Sequence, residues 1–327
     1  MPQLGRNLQG SLFGLLAFGI FSTHDVFVKF LGGSYSPVQL LFFSGLLGFP
    51  LVVLMMMGDA SEGHLRPVHP WWIAGRCASM ICSALGAFYA FTILPLAQVY
   101  AILFAAPLII TVLAIPVLGE KVGFHRWAAV MVGLIGVIIV LRPGDAHLSL
   151  GHLAALISAI GGATNSVIVR KIGREERSVV LLIYPMMTSF LLLGGALFFV
   201  YEPMPAADFG RMALIAALAF LAMLGLIRAY RFGEAAIVAP MQYSQILWAT
   251  GYGYLIFDET IDRTTALGAS VIIASGLYII FRESRGPTSN TTPVLRTRTR
   301  GGTGNSLRAG AILRRMQSRE EDSDPEA

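Results

Sequence analysis

Apolar residues in this chain fall into long runs separated by short polar connections. The runs cover 9–31, 36–57, 71–93, 96–118 and 124–141, then 149–172, 178–200, 209–230, 235–257 and 263–281. Each is long enough to cross roughly 30 Å of hydrocarbon as a helix. Backbone groups in lipid must bond within their own segment, so the runs are helices unless they close a barrel, and they lack the strict alternation of barrel strands. The first run has no small-residue cleavage site and turns polar after its apolar core, so it is expected to remain as span 1. The predicted class is an all-α integral membrane protein with ten transmembrane helices.

The two halves repeat. An offset of 141 residues superimposes Gly10 on Gly151, Thr23 on Thr164, Val26 on Val167, Val28 on Val169 and Gly32 on Gly173, and it sets Lys29 on Arg170 and His24 on Asn165. An offset of 139 pairs Ala90 with Ala229, Thr111 with Thr250 and Glu120 with Glu259, and an offset of 140 pairs Gly136 with Gly276 and Arg142 with Arg282. Each copy holds an odd number of spans, so the second must enter the membrane upside down. The expected organisation is two inverted five-helix repeats, 1–144 and 145–282, followed by an Arg-rich tail, 283–327. Inverted repeats are common in secondary transporters, whose solute site lies near the midplane where the copies meet.

Composition and charge sharpen this picture. The chain is 55% hydrophobic and 13% charged, with a mean hydropathy of +0.68. If the N-terminus is cytoplasmic, one face receives Arg6, Arg66, Arg76, Lys121, Arg126, Arg170, Lys171, Arg174, Arg177, Arg228, Arg231 and the tail, and the other only Lys29, Arg142, Arg211 and Arg263. The positive-inside rule then predicts an inner-membrane protein with both termini cytoplasmic. The net charge of +5 reflects this topology rather than nucleic-acid binding. Cys77 and Cys82 lie five apart on different faces of one span and are expected to fill core space, with no disulfide and no metal site.

The stretch FYAFTILPLAQVYAILFAAPLIITVLAIPVLGEKVGFHRWAAVMVGLIGVIIVLRPG, beginning at Phe88 and ending at Gly144, carries PLA at 95–97, GEK at 119–121 and GLIGVIIVLRPG at 133–144. With these motifs the chain resembles the EamA branch of the drug/metabolite transporter superfamily over essentially its whole membrane region. Two positions depart from the family pattern: Ser44 stands where many members carry Arg, and Gln98 where many carry an acidic residue just after PLA. The resemblance implies ten helices, cytoplasmic termini, no cofactor, and alternating-access movement of a small metabolite such as an amino acid, nucleobase, nucleoside derivative or vitamin. The partners expected are that solute and membrane lipid, with the protein a monomer or homodimer.

Polar residues inside apolar runs are the candidate site. In FSTHDVFVKF, Ser22, Asp25 and Lys29 share one helix face, with Asp25 and Lys29 one turn apart and able to pair. A lone charge at a helix centre costs about 2.5–3.5 kcal/mol on insertion scales, which pairing or a wet cavity relieves. Lys29 is placed to snorkel to the interface with Asp25 as its tether, whereas His24 and Asp25 lie roughly 10 Å from that end. His24 and Asp25 are therefore candidates for solute binding and for proton coupling, with a structural polar contact as the alternative. In MQYSQILWATGYGY, Gln242, Gln245, Ala249 and Tyr252 form one polar and aromatic face next to Pro240, suited to a flat hydrogen-bonding solute. The competing reading is interhelical glue and an interfacial aromatic belt. Trp248 beside this wall, Gln98 and Tyr100 in span 4, Tyr89 in span 3 and Asn165, the repeat mate of His24, complete the expected lining.

Other features read as structure. Glu120 and Glu259 follow spans 4 and 9 and are expected to anchor loops by pairing with Lys121 or Arg263. Gly75, Ser79, Ser83 and Ala87 form a small-residue seam for close helix packing, and Pro50, Pro107, Pro116 and Pro185 add kinks. The tail has a disordered composition ending in EEDSDPEA, with LRAGAILRRMQSR able to form an amphipathic helix on an anionic leaflet and an NTT sequon at Asn290 that a cytoplasmic tail would keep unused. No HExxH, GxSxG or paired-aspartate motif occurs, so an intramembrane enzyme is disfavoured, while a channel-like facilitator stays open as an alternative.

Overall fold

The computed structural model describes residues 2–56, 66–120, 122–142, 149–173 and 175–285. The expected tail, from residue 286 onward, lies outside them, as do Lys121 and Arg174. The helices are α1 (Pro2–Gly32), α2 (Pro37–Met56), α3 (Pro70–Ile93), α4 (Leu96–Leu103), α5 (Ala106–Leu118), α6 (Phe124–Leu141), α7 (Leu150–Ile172), α8 (Ser178–Val200), α9 (Ala206–Phe232), α10 (Ala235–Val238), α11 (Ser244–Phe257) and α12 (Arg263–Arg285), with a 3₁₀ turn at Ala239–Tyr243 between α10 and α11. α4 and α5 together make span 4, and α10, the 3₁₀ turn and α11 make span 9, so the predicted ten-span, all-α architecture is present. α1 and α12 extend beyond their predicted bounds because their polar ends continue the helix past the apolar stretch.

Spans 4 and 9 break at equivalent points. The interruption after Leu103, at Phe104 and Ala105, and the 3₁₀ turn ending at Tyr243 coincide under the 139-residue offset. Pro107 and Pro240 withhold an N–H at these places, which breaks the hydrogen-bond ladder there. Pro50, Pro116 and Pro185, by contrast, sit inside helices that run through them.

The packing obeys the same pseudo-symmetry. α3 runs along α7 and α1 along α9, which are equivalent pairs, and α6 packs on α12, its own counterpart. The seam on α3 works as expected: a Cβ at Gly161 of α7 would lie 2.7 Å from the Ser79 carbonyl oxygen, and one at Gly86 of α3 would lie 2.5 Å from that of Ala154. Ser83 also donates to the Ser158 carbonyl across this seam at 2.9 Å. Among the described residues, 33–36, 94–95, 142, 149, 201–205 and 258–262 lie on one face of the bundle, here the first face. Residues 66–69, 119–120, 122–123, 173, 175–177 and 233–234 lie on the second, together with both ends of the described helical region.

The two faces are not packed alike. α1 packs against α3, but among the described residues α7 and α9, their equivalents, touch at most marginally. α4 packs on α11, whereas among the described residues α5 has at most a marginal contact with α10 or the 3₁₀ turn. The bundle is therefore drawn together at the first face and splayed at the second.

Candidate functional site

A cavity of about 250 Å³ lies at mid-depth between α1, α2, α3, α8 and α9. Its wall is mostly apolar, with Phe42, Phe49, Phe88, Met186, Met187 and Phe190 prominent and His24, Ser44 and Ser189 as polar groups. Phe42 and Phe190 stack across it from the two repeats with ring centroids 5.2 Å apart. Phe49 and Phe190 both line it and are themselves equivalents under the 141-residue offset. Such a wall suits a flat, largely apolar ring held by a few hydrogen bonds.

Behind His24 a polar chain runs into the protein. His24 and Asp25 are 1% and 0% exposed. His24 Nδ1 and Asp25 Oδ1 are 2.7 Å apart, and the Tyr100 hydroxyl donates to Asp25 Oδ2. Gln245 Nε2 in turn donates to the Tyr100 oxygen at 3.3 Å. A buried carboxylate is tolerable only when polar partners reach it, and here His24 of α1 and Tyr100 of α4 do so, with Gln245 of α11 bonded to Tyr100 behind them. His24 also sets its edge on Phe88, at 6.1 Å between centroids, so one imidazole touches both the cavity wall and the buried acid.

The other expected site residues separate from the cavity. Gln245 and Ala249 are buried and Gln242 and Tyr252 half-buried, so the predicted face of span 9 points inward, but against α1 and α4. The Tyr252 hydroxyl meets Thr23 Oγ1 at 2.9 Å. Trp248 is 43% exposed, stacked on Tyr252 and laid along Gly19. Gln98 bonds His152 Nε2 at 2.9 Å. Tyr89 is half-buried on α3 beside Phe88. Asn165 accepts a hydrogen bond from Arg76 Nε at 3.1 Å. Of the expected residues, His24 is the one on the wall of this cavity, while Asp25, Tyr100 and Gln245 form the chain behind it.

Three expectations about charge are corrected. Lys29 does not tether Asp25: its Nζ lies 2.6 Å from Glu259 Oε1, donates to the Leu94 carbonyl at 2.6 Å, and sits over the Phe257 ring. Glu259 pairs with Lys29 in place of Arg263, and Glu120 pairs with Arg170, while Lys121 lies outside the described residues. These are the same interaction twice, because Lys29 and Arg170 are equivalents and so are the two glutamates. Both glutamates are aimed alike: Gly119 and Asp258 take left-handed φ of 69° and 53°, and the next N–H bonds back to Ala114 and Gly253 respectively. Arg76, counted above as a charge on one face, is 2% exposed inside α3. Cys77 is buried and fills core space as expected, whereas Cys82, on a different face of α3, is exposed and does not.

Sequence reasoning missed the aromatic and Met residues of α2 and α8 because a search for polar groups in apolar runs passes over an apolar wall. Ser44 had stood out only as a departure from the family pattern. No group of three or more His, Cys, Asp or Glu able to hold a metal ion occurs among the described residues.

Known proteins resemble the chain across both halves. The sequence profile of the EamA-like transporter family matches residues 8–142 and again 149–282. An S-adenosylmethionine uptake transporter of Rickettsia prowazekii (strain Madrid E) is 25% identical over 287 residues, covering 86% of this chain and 96% of that protein. The pseudopaline exporter CntI of Pseudomonas aeruginosa (strain UCBPP-PA14) is 23% identical over 81% of this chain and 94% of its own length. A riboflavin transporter of Vibrio cholerae is 29% identical over 58% of this chain and 64% of its own. A solved crystal structure aligns with 86% of this chain and all of its own, at a TM-score of 0.56 and 17% identity, which speaks to the fold alone.

Proposed function

This chain belongs to the EamA-like transporter family, a small-metabolite membrane transporter and not an enzyme, and we propose that it works by alternating access through the cavity beside His24. The observation that carries this reading is the unequal packing of the two faces around a mid-depth cavity: one face gathered, the other splayed. An inverted repeat can exchange these roles between its halves, which is how such folds expose one site to each side in turn. The surplus of Lys and Arg on the second face supports an inner-membrane protein with that face and both termini cytoplasmic.

The favoured solute is a flat heterocycle. Phe42, Phe88 and Phe190 offer ring faces and edges, while His24, Ser44 and Ser189 offer a small number of hydrogen bonds. S-adenosylmethionine and riboflavin, named for two relatives, both contain such rings. Asp25 and His24 are the proposed coupling pair, with Tyr100 as a third member: a proton arriving at His24 from the cavity meets a carboxylate whose second oxygen is already held by a donor. The test is a panel of nitrogen heterocycles, including those two compounds, screened for thermal stabilisation of the purified protein and then for flux in proteoliposomes. Stabilisation by a panel member that is lost in Phe88→Ala and Ser44→Leu supports the site. Stabilisation that survives both substitutions moves it elsewhere.

A further inference from the structure

Two equivalent ion pairs, one on each face, stand in unlike surroundings. At the first face Glu259 does more than pair with Lys29: its Oε2 accepts the Leu96 N–H at 3.1 Å, at the start of α4. Lys29 donates to the Leu94 carbonyl two residues earlier, at 2.6 Å. One ion pair, carried by α1 and the end of α11, thus grips both an acceptor and a donor of the corner between α3 and α4. The grip coincides with close contact, since a Cβ at Gly32 would clash with Thr92 Cγ2. Lys29 and Glu259 side chains are 11% and 19% exposed, so the grip is mostly withdrawn from water.

The second face repeats the ion pair. Arg170 at the end of α7 pairs with Glu120 just past α5, with side chains 11% and 4% exposed. The equivalent corner there is Gly233 to Ala235, between α9 and α10, by the same 139-residue offset that relates Glu120 to Glu259. At this face the described residues of α7 and α9 pack far less than those of α1 and α3, their equivalents.

We propose that Lys29–Glu259 and Arg170–Glu120 are alternating clamps, the first closing its face by docking on the Leu94–Leu96 corner, the second closing the opposite face by docking on the Gly233–Ala235 corner. The inference rests on the alternating-access reading and adds the residues that hold each state. Each ion pair persists through the cycle, because it joins helices that stay packed in both halves: α1 with α11, and α5 with α7. What forms and breaks is its hold on the corner, two charge-assisted hydrogen bonds to backbone. Such bonds are strong enough to set a population and few enough to be exchanged. The four side chains position the gates and do not touch solute.

The test is hydrogen exchange by mass spectrometry on the full chain in lipid nanodiscs, with no solute added, for the native protein, Glu259→Gln, Glu259→Gln with Glu120→Gln, and Lys29→Glu with Glu259→Lys. Glu259→Gln is expected to raise exchange about tenfold in 28–34 and 90–98, and to lower it by a similar factor in 166–173 and 226–234, as the population passes to the other closed face. Adding Glu120→Gln should cancel the protection gained at the second face. The charge swap restores the ion pair but sets a carboxylate against the Leu94 carbonyl and an ammonium against the Leu96 N–H, so it should fold and still behave like Glu259→Gln. Loosening at the first face with no gain at the second overturns the proposal, and so does a charge swap that returns native exchange at both faces, which would make the pair merely structural. Flux assays are separate: a native chain that exchanges as described but moves no solute leaves the clamps standing and removes the transport reading.

Discussion

Phe104 and Tyr243 meet ring to ring, with centroids 5.0 Å apart at an interplanar angle of 77°. They are equivalents under the 139-residue offset, each at the break in its own span, so the pseudo-two-fold axis passes between two aromatic rings where spans 4 and 9 change direction. On the first-face side of this contact α4 and α11 are packed; on the other side the described residues of α5 and α10 touch at most marginally. The pair has the placement of a fulcrum. Phe104→Ala removes one ring of it from the core and should lower stability by about 3–5 kcal/mol. Tyr243→Phe, which keeps the ring, should leave thermal unfolding nearly unchanged. Equal losses for the two variants would contradict a ring-on-ring role.

The scaffold side of the bundle is the α6–α12 contact, closed by glycine. A Cβ at Gly268 would lie 2.6 Å from Val140 Cγ2 and 2.7 Å from the Gly136 carbonyl oxygen, and one at Gly136 would lie 2.9 Å from the Gly268 carbonyl. Gly268→Val should therefore separate the helices and destabilise by about 1–3 kcal/mol. Gly195→Val, where no neighbour lies within 4 Å, should not. Thermal unfolding of the purified protein reads both; a neutral Gly268→Val would show that this contact is slack.

Tyr100→Phe removes the donor to Asp25 Oδ2 while keeping the ring that packs on Phe91 and Phe104. Loss of one partner to a buried carboxylate is expected to cost about 1–3 kcal/mol. If the His24–Asp25 pair couples solute to protons, this variant should also weaken the response of flux to an imposed pH gradient, as should Asp25→Asn. A gradient response that is intact in both variants places coupling elsewhere.

How much of this was legible in the sequence differs by feature. Span positions needed only local information, because an apolar run in lipid has to satisfy its own backbone, and the breaks in spans 4 and 9 were foreshadowed by Pro107 and Pro240. The repeat made Lys29 and Arg170 equivalent, and likewise Glu120 and Glu259, but equivalence is not proximity. Asp25, one turn away, looked the natural partner for Lys29, and only the crossing of the halves brings Glu259 to it from residue positions far along the chain. Arg76 was misplaced because a charge near a run's end reads as interfacial, whereas here Asn165 of the other repeat draws it inside. The cavity wall was least legible, since Phe42, Met186 and Phe190 are apolar residues in apolar runs.

Orientation follows from the side that carries the arginines and lysines. Reporter fusions after Arg142 should read as periplasmic and fusions after Arg174 as cytoplasmic. The reverse pattern would overturn the proposed topology and put the first face, with Lys29 and Glu259, on the cytoplasmic side.

The central claim is that solute passes through the cavity beside His24, and a blocked cavity tests it most directly. Ala84 lines that cavity and is 2% exposed, so Ala84→Trp fills the space from within the wall. The measurement is uptake of riboflavin, S-adenosylmethionine and the other heterocycles of the panel into proteoliposomes holding the native chain or Ala84→Trp, at matched amounts of folded protein. The account predicts saturable uptake of at least one panel compound by the native chain and uptake at the level of empty liposomes for the filled variant. Native-level uptake by a correctly folded Ala84→Trp would contradict it.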